Sequence, residues 1–361
     1  MAVSGLLFIP DISGFTDFVN ETEVDHSRYI IQELLETLIN SNKLQLQVSE
    51  IEGDAILFYR FGQVPTMNEL FSQVQTMFEN FHRALKYNSA RRICQCSACR
   101  KADSLTLKVI THTGEFSNYT VKEFNKLIGK DVILIHQLLK NDIPMHEYWM
   151  VTKNCIGENP DESALPQLLQ WNKGSKVTDH GKVDYYYSIL TPLKEEIKYE
   201  SREQLGIKGK REMVIRLEKK FNENIQRMLS VIGDLNNRSR WMDGLKGVED
   251  VTTAINQVGT SHRCLLDKEI EIMTTSDFYS DDYKIILEET DSKKMATCQF
   301  ELCKESESVT LLRMNLFLKK NPVLLLVFRL FMKRKMKKSL EKSMENLQAF
   351  LQKQESLACH C

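Results

Sequence analysis

Apolar and polar positions divide the chain into two stretches of different rhythm. In the first, residues 6–9 form a continuous apolar run the length of a buried strand. From 15 to 46 apolar residues recur at three and four, with Ile30, Ile31, Leu34, Leu35, Leu38 and Ile39 on one face, which predicts a helix. Residues 44–51 and 55–61 read as strands around Glu52-Gly53-Asp54, a hairpin tip. A helix is predicted over 67–87, strands over 105–111 and 121–127, and a helix over 130–140. Strands alternating with helices predict an α/β sandwich over residues 1–192. Between 193 and 210 the composition turns to Lys, Glu, Ser and Gly without apolar periodicity, as a linker does. Residues 211–356 are different in kind. A strand at 211–218 and a helix at 222–232 lead into strands near 263–273, 283–289, 295–303 and 309–318, and one long helix over 322–354 closes the chain. The expected fold class is α+β, with a helix-grip second domain: a long helix across an antiparallel sheet, and a cavity between them.

Composition narrows the function. The 361 residues carry 48 Lys plus Arg against 49 Asp plus Glu, a net charge of -1, which argues against a general nucleic-acid binder with its basic footprint. Hydrophobic residues at 42% suffice for a core in each half. The apolar run at 5–10 lacks a basic flank and a small-residue cleavage site, so it does not read as a signal peptide. The run at 322–332 is interrupted by Arg329 and is shorter than the roughly 18 residues of a spanning helix. A cytoplasmic protein with no transmembrane segment is expected.

Nine cysteines in such a chain read as reduced thiols. Cys94, Cys96 and Cys99 share one loop among Arg91, Arg92, Arg100 and Lys101. They read either as free thiols on a basic loop or as three zinc ligands awaiting a fourth, with His112 and His82 as candidates. Cys359-His360-Cys361 is a weaker version of the same signal.

Two aspartates stand at strand ends. Asp11 follows the first strand, and Asp54 sits at the hairpin tip. Each has an ordinary reading, as a helix N-cap and a turn residue. If the hairpin pairs beside the first strand, both carboxylates meet at one sheet edge, where they suit Mg²⁺ or Mn²⁺ and a phosphate chain.

The motifs sharpen this. Phe8-Ile9-Pro10-Asp11-Ile12-Ser13-Gly14-Phe15-Thr16 resembles the first metal motif of the class III adenylyl and guanylyl cyclases, and Glu52-Gly53-Asp54-Ala55 resembles their second. The segment 107–115 is similar to a later strand of that domain, and the whole resembles a divergent form of the DUF2652 type. The resemblance covers about residues 4–190 and implies a ferredoxin-like α/β sandwich. It implies metal coordination by Asp11, Asp54 and the Ile12 carbonyl. Gly14, Phe15 and Thr16, with Gly53 beside them, would face the phosphates. It further implies a nucleoside triphosphate as ligand and a homodimer or heterodimer formed through this domain. Glu50 and Lys126 fall at its base-contacting positions, and Glu50 favours guanine.

Two positions depart from the family. Ile133 stands where cyclases keep a ribose-orienting Asn, and Gln137 where they keep a transition-state Arg. An aliphatic side chain cannot bond ribose, and a neutral amide cannot offset phosphoryl charge. The expected activity is therefore binding and signalling with weak or absent turnover. The alternative is a divergent cyclase using GTP or ATP, with Lys122, Lys126 or Lys130 as substitute cation.

Residues 205–355 resemble the START-like (SRPBCC, polyketide-cyclase-like) superfamily in the order of their elements. Arg240-Trp241-Met242-Asp243-Gly244 and the segment 257–262 carry the likeness. This implies a cavity for a hydrophobic small molecule or lipid, with Trp241 and His262 as pocket residues, although each is more often a core or structural residue. The apolar run 323–328, followed by Lys333-Arg334-Lys335-Met336-Lys337-Lys338, suits an anionic membrane surface. As the closing helix of such a domain it is expected instead to bury its apolar run on the sheet.

Overall fold

The computed structural model describes residues 2–22, 24–94, 96–156, 166–179, 181–198, 206–249, 251–252, 255–266 and 269–358. They fall into two compact units, residues 1–87 with 101–199, and 88–100 with 200–361. The Cys359-His360-Cys361 signal and the middle of the expected linker lie outside the described residues.

In the first unit β1 (Val3–Ser13) is central, because it is apolar on both faces and both faces are covered. It pairs antiparallel with β3 (Ala55–Phe61) and with β4 (Thr106–Val121). With β2 (Gln47–Glu52), β6 (Tyr148–Thr152), β7 (Asn172–Thr178) and β8 (Gly181–Ile189), the order is β2-β3-β1-β4-β6-β8-β7. The strand β5 (Phe124–Ile128) pairs with β4 alone, and β6 lies parallel to β4. Helix α1 (Phe15–Asn20) is followed by α2 (Val24–Asn40), α3 (Met67–Arg91), α4 (Ser97–Lys101) and α5 (Lys130–Leu139). Leu7 and Ile9 join one apolar cluster with Ile135 and Leu138 of α5. By the period of two, Leu6 and Phe8 point the other way, where Phe8 meets the edge of Phe58.

The helix expected over 15–46 is in fact two, α1 and α2. It stops at Asn40 because the Asn42 side chain takes the Leu46 N–H and donates to the Leu46 carbonyl, closing a loop. The strands β6, β7 and β8 carry no clear signal: β6 is five buried residues without alternation, and β7 is Lys-, Ser- and Gly-rich.

The second unit is a seven-stranded antiparallel sheet in the order β10-β11-β12-β13-β14-β15-β9. Its strands are β9 (Arg211–Phe221), β10 (Leu245–Glu249), β11 (Ser261–Leu266), β12 (Ile270–Ser280), β13 (Lys284–Asp291), β14 (Ala296–Lys304) and β15 (Thr310–Lys319). The single strand expected near 263–273 is thus the hairpin β11–β12. Helix α6 (Ile225–Ile232) is capped by Asn224, which accepts from the Arg227 N–H at 2.8 Å. Asn321 caps α7 (Pro322–Val327) in the same way. A π-helical turn, Phe328–Met332, joins α7 to α8 (Lys333–Ala358). Leu340, Met344, Leu347 and Leu351 bury one stripe of α8 in the sheet's core. The segment 88–100, which holds the last turn of α3 and most of α4, belongs to this unit, and its Ile93 N–H donates to the Asn256 carbonyl at 3.0 Å.

The apolar run 323–328 does not pack as expected. Leu325 and Phe328 are buried, whereas Val323, Leu326 and Val327 are exposed. No helix among the described residues is long and apolar enough to cross a membrane.

Candidate functional site

The turn at Gly53 brings Asp54 back beside the end of β1, where the Ile12 N–H donates to the Asp54 carbonyl at 3.1 Å. In register, Asp11 stands opposite Ala55 on one side and Lys108 on the other. The two aspartates therefore meet at one sheet edge, as the motif spacing led one to expect. Burial pushes the Asp11 carboxyl above its ordinary value against the pull of Lys108. Burial and then the neighbouring Asp11 charge push Asp54 up to about 6. Two carboxylates that resist ionising side by side are a hard-oxygen donor set that fits Mg²⁺ or Mn²⁺.

Lys108 supplies a cation that sequence reasoning missed. Its Nζ lies 3.2 Å from Asp11 Oδ1, and only the β1–β4 register reveals it. Gly14, at φ +89°, turns the chain out of β1 in a left-handed conformation. Phe15 covers the Gly53 turn, since a Cβ placed on Gly53 would lie 3.6 Å from the ring. Thr16 is exposed. The helix they open has six residues, so any phosphate contact there rests on individual amides, with little help from a helix dipole.

Glu50 and Lys126, the two base-contact candidates, are brought together as an ion pair. Hydrogen bonding to Glu50 raises the Lys126 ammonium above its ordinary value. His136 joins them, 3.8 Å from Glu50 and 3.7 Å from Glu52. Of the substitute cations, Lys122 sits exposed in the β4–β5 turn and Lys130 is exposed at the start of α5. Ile133 is 54% exposed on α5, and Gln137 donates to Asp179 at 2.7 Å.

Helix α5 is anchored by its first turn. Asp131 accepts from His112 at 3.0 Å and from the Glu115 N–H at 2.7 Å, and the other His112 nitrogen lies 2.8 Å from Thr152 Oγ1. Burial would raise the Asp131 carboxyl, but the His112 and Glu115 bonds outweigh it and hold it below its ordinary value. Gly114 makes the approach feasible, because a Cβ there would fall 2.3 Å from Asp131 Cγ. Gly114→Ala is expected to displace Asp131 and cost about 1–3 kcal/mol, read as a lower denaturant midpoint at unchanged m.

The thiols of Cys94, Cys96 and Cys99 lie within 4.8 Å of one another. Hydrogen bonding of the protonated thiol to Cys94 and Cys96, then burial, pushes Cys99 upward. Neither histidine proposed as their fourth ligand serves. His112 is committed as described, and His82 pairs with Glu147 at 2.8 Å.

In the second unit a cavity of about 770 Å³ is lined by Met273, Cys298, Leu316, Met336 and Leu340, with Arg238 and Glu289 among its polar residues. Trp241 and His262 are not in that lining. Trp241 is core, meeting Phe300 edge-on and the Arg238 guanidinium at 5.5 Å. His262 is buried, and burial pushes its imidazole below the ordinary value. Arg238 is the pocket residue that sequence reasoning passed over. It is 1% exposed and bonds both oxygens of Glu289, at 2.7 and 3.0 Å.

Residues 31–148 match the family described as "Protein of unknown function (DUF2652)". The chain is 31% identical over 163 residues to the "Uncharacterized protein Rv2561/Rv2562" of Mycobacterium tuberculosis, a match covering 44% of this chain and 76% of that protein. The chain belongs to the family of that mycobacterial protein. Among solved structures it is similar to the adenylyl cyclase CyaB from P. aeruginosa, at 15% identity over 57% of this chain and 98% of that one, TM-score 0.39. It is also similar to the guanylate cyclase domain of RhGC from Catenaria anguillulae in complex with GTP, at 12% identity over 52% and 96%, TM-score 0.38.

Proposed function

We propose that this is a cytoplasmic signalling protein whose first unit, a ferredoxin-like cyclase relative, binds a nucleoside triphosphate with Mg²⁺ or Mn²⁺ and turns it over weakly or not at all. The convergence of Asp11 and Asp54 carries this reading. Asp11, Asp54 and the Ile12 carbonyl would hold the ion, with Gly14, Phe15 and Thr16 towards the phosphates. A bound divalent ion would neutralise phosphate charge. The chain's own residues do the rest: Lys108 lies beside Asp11, ready to face a phosphate oxygen, and the Glu50–Lys126 pair would meet the base. At the positions where turnover needs ribose and α-phosphate contacts, Ile133 offers no hydrogen bond and Gln137 no charge. A dimer with a competent partner would supply both groups. Lys108 favours the second reading, a divergent cyclase, because it puts a cation where charge develops.

The test is calorimetry of the full chain with Mn²⁺ and GTP or ATP, together with mass spectrometry for a 3′,5′-cyclic product. Binding without product is expected. Product at wild-type Lys108 that vanishes in Lys108→Gln would establish the cyclase, and no binding would sink both readings.

The second unit we read as a helix-grip, START-like pocket for a ligand with an apolar body and a polar head. The volume, within the usual 300–1,000 Å³ of small-molecule sites, supports this. So does Arg238 Nε, a buried donor with no hydrogen-bond partner among the described residues, at the cavity wall. The three thiols we read as zinc ligands, filling three positions of a tetrahedron. The purified chain should carry about one zinc per molecule, falling to near zero in Cys99→Ser. Full zinc retention in that variant would remove the thiols from the site.

A further inference from the structure

The junction of α7 and α8 exposes an apolar surface that the core does not use. Val323, Leu326, Val327, Leu330 and Phe331 are 71%, 59%, 46%, 67% and 78% exposed. Their spacing of i, i+3, i+4, i+7 and i+8 sets them in one stripe along the helix. Leu325 and Phe328, between them in sequence, are the side chains that anchor this helix in the core. Scattered exposed apolar residues are ordinary, but a contiguous stripe marks a surface with a partner.

Charge says which partner. From 322 to 340 there is no Asp or Glu, while Arg329, Lys333, Arg334, Lys335, Lys337 and Lys338 all fall within this stretch. Lys333, Arg334, Lys335 and Lys338 are exposed. An apolar stripe followed at once by a basic run matches an anionic lipid surface, whose headgroups attract the lysines while its acyl boundary takes up the stripe. A second copy of the chain would bring like charges together. The same helix also borders the cavity: Lys335, Met336, Lys338, Ser339 and Leu340 line it.

We propose that the stripe Val323–Leu326–Val327–Leu330–Phe331 docks flat on an anionic phospholipid bilayer, with the basic run 333–338 on the headgroups. Docking then holds the rim of the second unit's cavity at the lipid surface.

The experiment is flotation of the full chain with phosphatidylcholine vesicles, with and without phosphatidylserine. Binding is expected with phosphatidylserine, weakly without it, and reduced as salt rises to about 1 M, where charges are screened within about 3 Å. Leu330→Ser/Phe331→Ser should lower partitioning about 10-fold or more. Lys333→Gln/Arg334→Gln/Lys335→Gln should abolish the phosphatidylserine preference while leaving the apolar contribution. All five positions are exposed, so both variants should melt as the wild type does. Equal binding to both vesicle types, or none, overturns the proposal. So does a concentration-dependent dimer in sedimentation velocity that the serine variant disrupts, since the face would then belong to a second copy.

Discussion

Asp54→Asn should abolish manganese-dependent nucleotide binding and, in the metal-free protein, raise stability. The first effect follows because an ion held by two carboxylates loses one charged ligand, a loss of about 100-fold or more in affinity. In calorimetry the heat of Mn²⁺–GTP or Mn²⁺–ATP binding should vanish, and the Mn²⁺-induced rise in melting temperature with it. The second effect has the opposite sign. In the folded chain Asp54 is raised from 3.8 to about 6, by burial first and by Asp11 second. A carboxyl raised on folding binds its proton more tightly in the native state, so its contribution is fully present below the unfolded value and is lost as pH rises through about 6. Above that, the wild type carries an ionised carboxylate that its site resists, and the amide does not. In chelator near pH 8, Asp54→Asn should therefore melt above the wild type, and the difference should close near pH 4. A variant that keeps the Mn²⁺ shift would show that the ion sits elsewhere.

Glu289→Ala should produce the largest loss of stability in the second unit. Arg238 and Glu289 are 1% and 4% exposed at the side chain and bidentate, and the Arg238 guanidinium lies 5.5 and 5.4 Å from the ring centroids of Trp241 and Phe300. Removing the carboxylate strands a guanidinium in an apolar wall, which costs about 3–5 kcal/mol. The Arg238 Nη2 bond to the Ile232 carbonyl, at 2.8 Å, satisfies one donor and does not replace the charge. Chemical denaturation should show the lower midpoint, with circular dichroism confirming that the sheet persists. The pH dependence carries the sign of a depressed carboxylate. Burial would raise Glu289, but the Arg238 charge and hydrogen bonds outweigh it and hold it below its ordinary value of 4.5. That stability is present above about 4.5 and is lost as pH falls through the depressed native value. A charge-free pair, Arg238→Met/Glu289→Leu, should recover most of the loss, because the cost lies in the unpaired charge. If Glu289→Ala unfolds no more easily than the wild type, the pair is not the structural tie its geometry implies.

Sequence alone determined what depends on short stretches of chain. Asp11 and Asp54 were legible because each lies within a few residues of the strand end or turn that aims it, and a local motif carries that geometry whole. The antiparallel second half, its long closing helix and the thiol group at Cys94, Cys96 and Cys99 were legible for the same reason, since periodicity and spacing are local quantities. The tertiary structure decided whatever joins residues far apart in sequence. Lys108 reaches Asp11 through the β1–β4 register, Glu50 meets Lys126 across 76 residues, and Gln137 meets Asp179 across 42. Histidines 82 and 112 read as candidate ligands until their carboxylate partners, 65 and 19 residues away, claimed them. Trp241 carries the look of a pocket residue, yet Arg238 holds the cavity wall, because only packing decides which neighbour on a turn points inward. The apolar run after Pro322 shows the limit most plainly. Its hydrophobicity is written in the sequence, but which of its faces finds the core depends on where the sheet stops, and the sheet covers Leu325 and Phe328 while leaving Leu330 and Phe331 in water.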